Sequence, residues 1–233
     1  MKNIILLLIA LSFSLTACGD FLGSKTIADN TESTNKDFDT VNGSIKVGHH
    51  ANLGDLSTVN GSIKVASNSS VGKTSTVNGS VVFENSVTAK SAETVNGSIK
   101  LGENCKIHEN VETVNGSVIS ATGCYIGGDF ETVNGKLKAT NTEIHGSVET
   151  VNGSVILLNG TVVYDDIIIR KNKSFFGNSN NKKPKVVLGK NVVVKGNLEF
   201  GRPVILYVHN SVEIEDDVEN AEIHRYSGDD LSY

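Results

Sequence analysis

The most regular pattern in the sequence is an apolar residue at every sixth position. The series runs through Val41, Val47, Leu53, Val59, Val65, Val71, Val77 and Phe83. Between these positions polar and apolar residues alternate, which predicts short β-strands with one buried and one exposed side. In the first strand the alternation predicts that Val41, Ile45 and Val47 face inwards and that the polar residues between them face outwards.

A longer repeat contains the six-residue one. The tetrapeptide Thr-Val-Asn-Gly recurs at intervals of 18 or 19 residues, starting at Thr40, Thr58, Thr76, Thr94, Thr113, Thr132 and Thr150. Three hexads per repeat predict a coil with three sides, each a short strand. Asn-Gly in every repeat excludes a helical solenoid, because these residues break helices. We therefore predict an all-β fold, a single-stranded, three-sided parallel β-helix with 18–19 residues per coil and about nine to ten coils.

Stacking of like coils explains why the sequence repeats itself. Coils of a parallel β-helix lie about 4.8 Å apart in register, so equivalent side chains form columns along the axis. The asparagines of the repeat are expected to form a buried or half-buried amide ladder. Its members are Asn42, Asn60, Asn78, Asn96, Asn115, Asn134 and Asn152. The valine before each asparagine is expected in the core, and the Asn-Gly pair at a corner with positive φ.

The repeat also sets the domain boundaries. We predict the β-helix over residues 39–220, because the six-residue spacing returns from Leu188 to Val218. Residues 171–185 break the spacing and are expected to protrude as a loop, which carries two phenylalanines and five lysines. Residues 221–233 follow an acidic run and are predicted to form a polar C-terminal cap.

The first 18 residues have the features of an export signal. Lys2 precedes an apolar run over residues 4–15, which is shorter than the roughly 20 residues that a membrane-spanning helix needs. The tetrapeptide LTAC, which ends at Cys18, resembles the lipobox of bacterial lipoproteins. The resemblance implies cleavage before Cys18 and lipidation of that residue, and hence a membrane anchor through acyl chains.

Residues 19–38 are polar and aperiodic, so they are expected to form a flexible tether between the anchor and the folded domain. Gly19 stands directly after the lipobox cysteine, where lipoproteins retained in the inner membrane of enteric bacteria carry aspartate. We therefore expect a lipid-anchored protein of the bacterial cell envelope. The outer membrane is favoured, with the domain on its periplasmic or surface side.

Few side chains are grouped as an active site or a ligand site would require. The net charge is −5 and no basic patch is visible, which argues against nucleic-acid binding. Cys105 and Cys124 fall at equivalent positions of neighbouring coils, either as a ladder of buried thiols or as a disulfide. His108 and His145 lie two coils apart at one corner, about 10 Å, which is too far for a shared metal ion. We expect no catalytic residue, metal or cofactor.

The segments ETVNGSIKLG, ETVNGSVIS and ETVNGSVILL resemble the repeats of bacterial adhesin-type solenoid domains. VVVKGNLEF and the V-x-G-x-[ILV] hexads resemble bactofilins, the polymer-forming bacterial cytoskeletal proteins. The resemblance covers about residues 39–220 and implies a β-helix, with the right hand favoured over the left. It implies a surface for adhesion or envelope structure or, alternatively, a scaffold that stacks end to end. The expected partners are the membrane and either a second copy or an envelope partner.

The hexads also resemble the left-handed β-helix acyltransferases. That resemblance implies a catalytic histidine placed between the subunits of a trimer. None of the six histidines lies in a comparable motif. An acyltransferase is therefore the least favoured of the three hypotheses.

Overall fold

A computed structural model describes residues 22–34, 36–171, 183–214 and 218–228. Within these ranges the chain is all-β and contains no helix. The strands pair in parallel and stack as a solenoid of about 10 turns. The predicted parallel β-helix is confirmed.

The strands in chain order are β1 (Lys25–Ile27), β2 (Glu32–Ser33), β3 (Phe38–Asn42), β4 (Ile45–Val47), β5 (Asn52–Leu53), β6 (Leu56–Asn60), β7 (Ile63–Val65), β8 (Ser70–Asn78), β9 (Val81–Phe83), β10 (Thr88–Asn96), β11 (Ile99–Leu101), β12 (Lys106–Ile107), β13 (Val111–Asn115), β14 (Val118–Ser120), β15 (Tyr125–Ile126), β16 (Phe130–Asn134), β17 (Lys136–Thr140), β18 (Glu143–Ile144), β19 (Val148–Thr150), β20 (Ser154–Leu158), β21 (Val162–Val163), β22 (Ile167–Ile169), β23 (Lys185–Leu188), β24 (Val193–Val194), β25 (Leu198–Phe200), β26 (Val204–His209) and β27 (Ala221–Tyr226).

The strands form three faces. Face 1 is an eleven-stranded sheet in the order β1, β4, β7, β9, β11, β14, β17, β20, β23, β26, β27. Face 2 contains β2, β5, β12, β15, β18, β21 and β24, and face 3 contains β3, β6, β13, β16, β19, β22 and β25. The nine-residue strands β8 and β10 turn a corner and belong to both of these faces. Eleven strands spaced by about 4.8 Å make a rod roughly 48 Å long.

The core runs along the centre of the coil as columns of stacked apolar side chains. On face 1, Ile45, Ile63 and Val81 lie directly opposite one another in the register and are fully buried. Phe83 and Phe130 are the largest fully buried side chains of the described residues. Burial of each such side chain contributes about 1.5–3 kcal/mol to folding. The core therefore holds every coil against its two neighbours.

The threonine of Thr-Val-Asn-Gly faces the core, and the valine does not. The threonines are Thr40, Thr58, Thr76, Thr94, Thr113, Thr132 and Thr150, and all are buried. The valines that follow them are half-exposed, so the predicted valine stripe is wrong. The threonine hydroxyl explains the choice, because in the first six of these repeats it donates to a carbonyl of the preceding coil. Thr76 Oγ1, for example, lies 2.8 Å from the carbonyl oxygen of Gly61.

The glycine of the repeat allows close stacking of the coils. A Cβ on Gly79 would lie 1.9 Å from the carbonyl oxygen of Gly61 in the preceding coil, and one on Gly97 would lie 1.9 Å from that of Gly79. Real atoms cannot approach so closely, so any larger residue would push the coils apart. The glycine is required because it lacks a Cβ.

Positive φ is concentrated at a different corner from the one predicted. The corner between faces 1 and 2 carries it at Asn30, His50, Asn68, Ser86, Asn104, Asn141, Asn159 and Asn191, with φ between 44° and 62°. Among the described residues, the asparagines and glycines of Thr-Val-Asn-Gly do not have positive φ. Asparagine tolerates the left-handed region with little strain, which explains its frequency at this corner.

Part of the expected tether belongs to the solenoid. Strands β1, β2 and β3 form a first coil, so the prediction of a tether over residues 19–38 is wrong from Leu22 onwards. Lys25 lies opposite Ile45, 20 positions on, whereas Phe38 lies opposite Leu56, 18 positions on. On face 1 this coil is therefore longer than the 18-residue repeat. Its polar composition lacks the regularly spaced apolar residues from which the other coils were predicted.

The C-terminal boundary also differs from the predicted one. Strand β27 pairs in parallel with β26, so face 1 continues six residues beyond position 220. In the coil that contains the predicted loop, Val155 lies opposite Val186, 31 positions on. Residues 172–182, most of that loop, lie outside the described residues.

Two buried threonines test the role of the hydroxyl ladder. Thr76 donates to Gly61, whereas Thr74 Oγ1 is buried without a partner. We expect Thr76→Val to lower the free energy of unfolding by about 1–3 kcal/mol, because it leaves a carbonyl unsatisfied. Thr74→Val should raise it by about 1 kcal/mol, because it removes an unpaired hydroxyl. Urea unfolding measures the free energy of unfolding of both variants. Equal changes in the two would show that the bond from the Thr76 hydroxyl to Gly61 does not stabilise the fold.

Candidate functional site

The asparagines of the repeat form one continuous column at the corner between faces 3 and 1. From Asn60 onwards, each Nδ2 donates to the Oδ1 of the asparagine in the preceding coil, at distances of 2.8–3.0 Å. The column comprises Asn42, Asn60, Asn78, Asn96, Asn115, Asn134 and Asn152. All seven side chains are exposed, so the expectation of a buried or half-buried ladder is wrong. The column is a polar ridge on the surface.

The two internal cysteines are stacked free thiols. Cys105 and Cys124 are both buried, and the disulfide alternative is not formed. Cys105 Sγ lies 3.1 Å from the carbonyl oxygen of Glu84, and Cys124 Sγ lies 3.0 Å from that of Gly102. Each thiol thus donates to a backbone carbonyl of the preceding coil, and the two thiols also interact with each other. The neighbouring Cys124 thiol and burial together raise the pKa of Cys105. Cys18, the predicted lipidation site, lies outside the described residues.

Face 2 carries an aromatic column that the sequence analysis missed. The imidazole of His145 stacks on Tyr164 with ring centroids 4.2 Å apart, and Tyr125 packs on its other side at 4.9 Å. Lys195 Nζ lies 3.8 Å from the centroid of the Tyr164 ring and closes one end. Gly127 leaves room for the Tyr125 ring, whose Cε1 would lie 3.4 Å from a Cβ at that position.

This column offers ring edges to solvent rather than ring faces. Lys106 Nζ lies 5.7 Å from the centroid of Tyr125, so a cation stands at each end of the stack. Cation–π contacts of this kind contribute about 0.5–1 kcal/mol at exposed sites. Because neighbouring rungs already occupy the ring faces, we assign the column to stabilising the rod.

Face 3 carries a column of glutamates that precedes the repeated threonines. Glu93, Glu112, Glu131 and Glu149 lie opposite one another in successive coils. They alternate with inward-facing residues, yet Glu112, Glu131 and Glu149 are only 9%, 8% and 3% exposed. Arg170 donates through Nε and an Nη atom to Glu149. The recurring ETVNG motif is the sequence signal for this column.

Burial controls the charge of these glutamates. Burial, followed by the charges of Glu149 and Glu112, raises the pKa of Glu131 to about 8. Burial also raises the pKa of Glu112, against the hydrogen bond from Asn110. Removing a carboxylate from water disfavours its charged form, and neighbouring carboxylates add to that effect. Glu131 therefore keeps its proton at neutral pH.

The other candidate groups do not assemble into a site. Within the described ranges, no group of three or more His, Cys, Asp or Glu side chains is arranged to hold a metal ion. His108 and His145 lie at equivalent corner positions two coils apart, as expected, with Gly127 between them. None of the residues that the structure describes forms a helix long and apolar enough to cross a bilayer.

A comparison of the chain with family models, with curated proteins and with solved structures finds no match. The assignment of a role therefore depends on the geometry described above.

The asparagine column can be tested at an internal and a terminal member. Asn96→Leu removes two hydrogen bonds, one to Asn78 and one from Asn115. We expect a loss of about 1 kcal/mol, because exposed amides regain bonds to water. Asn152→Leu removes only the bond to Asn134 and should cost about half as much. If Asn96→Leu unfolds at the same temperature as the parent, the asparagine column does not stabilise the fold.

The glutamate column predicts a stability that falls as pH rises. The pKa of Glu131 is higher in the folded chain than its ordinary value of 4.5, so folding is favoured while the group holds its proton. Stability is full below about pH 4.5 and declines up to about pH 8. Glu131→Gln removes this decline, and we expect it to stabilise the protein at pH 8 by about 4 kcal/mol, roughly 12 °C.

At pH 4.5 the Glu131→Gln variant and the parent should unfold at the same temperature. Glu103→Gln, at an exposed position of a neighbouring coil, serves as the control and should match the parent at both pH values. Calorimetry at the two pH values checks the prediction. A stabilisation of the same size at both would show that Glu131 carries no raised pKa.

Proposed function

We propose that the chain is a lipid-anchored protein of the bacterial cell envelope whose solenoid acts as a rigid, non-enzymatic rod. Its exposed columns would serve as a surface for adhesion or for structural contact. The β-solenoid fold is compatible with a structural or adhesin-like protein.

The observation that carries the proposal is the short stretch of sequence between Cys18 and the first described residue of the solenoid. Leu22 already forms a β-bridge with Asn42, only four residues after the lipobox cysteine Cys18. Four residues span at most about 14 Å. A lipid on Cys18 would therefore hold the N-terminal coil at the bilayer surface, and the other end would stand up to roughly 48 Å away.

The rod is well suited to transmit position and force from one end to the other. Each coil is tied to the next by strand hydrogen bonds on the three faces, by the asparagine column and by the threonine hydroxyls. A bend would have to open several of these bonds at one level together. In a solenoid each repeat contacts only its neighbours, so stiffness depends on this local bonding.

Two alternatives have different requirements. A polymer-forming scaffold would need the two ends of the rod to stack on each other. An acyltransferase would need a trimer with a reactive histidine between subunits, and trimerisation together with coenzyme A binding would support it. Light scattering of the chain over a concentration series separates the monomeric rod from both alternatives.

The anchor is tested by metabolic labelling with radioactive palmitate. We expect Cys18→Ser to abolish labelling and to release the protein from the membrane fraction, because it removes the acylated thiol. Cys124→Ser is the matched control, since Cys124 is buried in the solenoid, and it should be labelled like the parent. Labelling that persists in Cys18→Ser would refute lipidation at this residue.

A further inference from the structure

Face 1 carries a column of lysines and aliphatic residues along its outer side. In order along the axis and in register, the column contains Lys46, Lys64, Val82, Lys100, Ile119 and Lys138. Each of these lysines lies at least 18 residues from the next in the sequence, so they form no basic run there. The stacking of the coils therefore creates a basic surface that the linear sequence does not show.

The positive charge of this surface is not balanced on the face itself. Among the described residues of face 1, no carboxylate lies on strands β4, β7, β9, β11, β14, β17 and β20, whereas Lys136 adds a fifth lysine on β17. Lys64 forms an ion pair with Glu84 at the adjoining corner, at 2.8 Å. The other four lysines form no ion pair with any residue that the structure describes.

Carboxylates are concentrated on face 3 instead. The strands of that face carry Asp39, Glu93, Glu112, Glu131, Glu149 and Glu199. Packed sheets lie about 10 Å apart, which exceeds the Debye length of about 8 Å at physiological ionic strength. The carboxylates of face 3 therefore weaken the attraction of an anion to face 1 only in part. The rod is basic on one side and acidic on another.

The outer side of face 1 is also flat. A column of serines runs along one side of the lysines, at Ser44, Ser62, Ser80, Ser98 and Ser117. The column on the other side contains Gly48, Ala66, Glu84, Gly102 and Ala121, so that only Glu84 is long. The aliphatic stems of the lysines can therefore reach a broad surface together with Val82 and Ile119.

The chain enters the solenoid beside this face. Leu22 forms a bridge with Asn42 at the corner between faces 3 and 1, and the first strand of face 1 begins at Lys25. The proposed lipid on Cys18 would therefore hold a bilayer next to the N-terminal end of face 1.

We propose that face 1 binds the surface of an anionic lipid bilayer, so that the rod lies along the membrane. The proposal rests on the proposed anchor, which brings the rod to the bilayer, but side chains of the solenoid make the contact. The lysine ammonium groups would meet lipid phosphates, and Val82 and Ile119 would enter the boundary between head groups and acyl chains. Faces 2 and 3 would remain open to other partners.

A second copy of the chain fits face 1 less well than a bilayer does. Face 3 of another copy has the opposite charge and the same spacing of coils. However, Glu112, Glu131 and Glu149 are only 9%, 8% and 3% exposed, so their carboxyl groups are poorly placed to meet a lysine from outside. Glu149 is also paired with Arg170.

The experiment measures sedimentation of the unlipidated chain from Gly19 to Tyr233, which contains every described residue, with lipid vesicles. Vesicles of phosphatidylcholine with about one third phosphatidylglycerol should bind it at least tenfold more tightly than vesicles of phosphatidylcholine alone, because only the former are anionic. Binding should weaken as the salt concentration rises. Since the chain carries no lipid, its binding reports on the solenoid and not on the anchor.

Charge variants locate the binding surface. Each basic residue near an anionic bilayer strengthens binding about fivefold, so Lys100→Glu with Lys138→Glu should weaken binding at least tenfold. Lys73→Glu with Lys90→Glu makes the same change in net charge on β8 and β10, at exposed positions away from face 1. This control should alter binding less than twofold.

A fluorescent dye on a single new cysteine reports which face meets the lipid. Cys105 and Cys124 are buried, so a dye is directed to the new residue. On anionic vesicles that carry nitroxide-labelled head groups, a dye on Val82→Cys should be quenched. A dye on Ser75→Cys, on the outer side of face 3, should keep its fluorescence.

The proposal is overturned if the chain binds the two kinds of vesicle equally, or if both pairs of charge variants weaken binding to the same extent. Binding of soluble polyphosphate without binding of vesicles would make a polymer the partner. Self-association that Lys100→Glu with Lys138→Glu abolishes would make a second copy the partner. Each of these results leaves the anchor unaffected, because palmitate labelling of Cys18 tests it separately.

Discussion

The structure depends on the close, in-register stacking of one coil on the next. At the corner between faces 3 and 1 the backbones approach so closely that a Cβ on Gly79 would collide with the carbonyl of Gly61. The same corner places the Thr76 hydroxyl against that carbonyl and joins Asn78 to Asn60. A larger or differently shaped residue in one coil would displace the backbones of the coils above and below. This explains why Thr-Val-Asn-Gly is repeated almost unchanged.

Register has opposite consequences for amides and for carboxylates. An amide both donates and accepts, so identical asparagines satisfy one another in an unlimited column. A carboxylate only accepts, so Glu112, Glu131 and Glu149 repel one another, and burial adds to the penalty. Arg170 pairs directly with Glu149, and its charge opposes the rise in the pKa of Glu131 without cancelling it. The rod therefore combines a stabilising column with one that makes its stability depend on pH.

The sequence was sufficient to predict the three-sided parallel coil, the asparagine column and the stacking of Cys105 on Cys124. It was insufficient wherever a polar group replaced an apolar one. Thr76 faces inwards because its hydroxyl donates to the backbone carbonyl of Gly61. A pattern of hydrophobic residues gives no sign of such a bond. The first coil was not predicted because its strands pair through the backbone while its sequence lacks the regularly spaced apolar residues of the other coils.

The most direct test of the account is the distance between spin labels placed along the outer column of face 1. Thr26, Lys100, Lys138 and His224 lie in that column, with Thr26 four, six and ten coils from the others. Electron–electron resonance on pairs that include Thr26, in a chain with Cys18 replaced by serine, should give narrow distributions near about 19, 29 and 48 Å. Broad distributions, or distances that do not increase by about 4.8 Å per coil, would contradict a rigid rod that extends from the coil of Thr26 to the coil of His224.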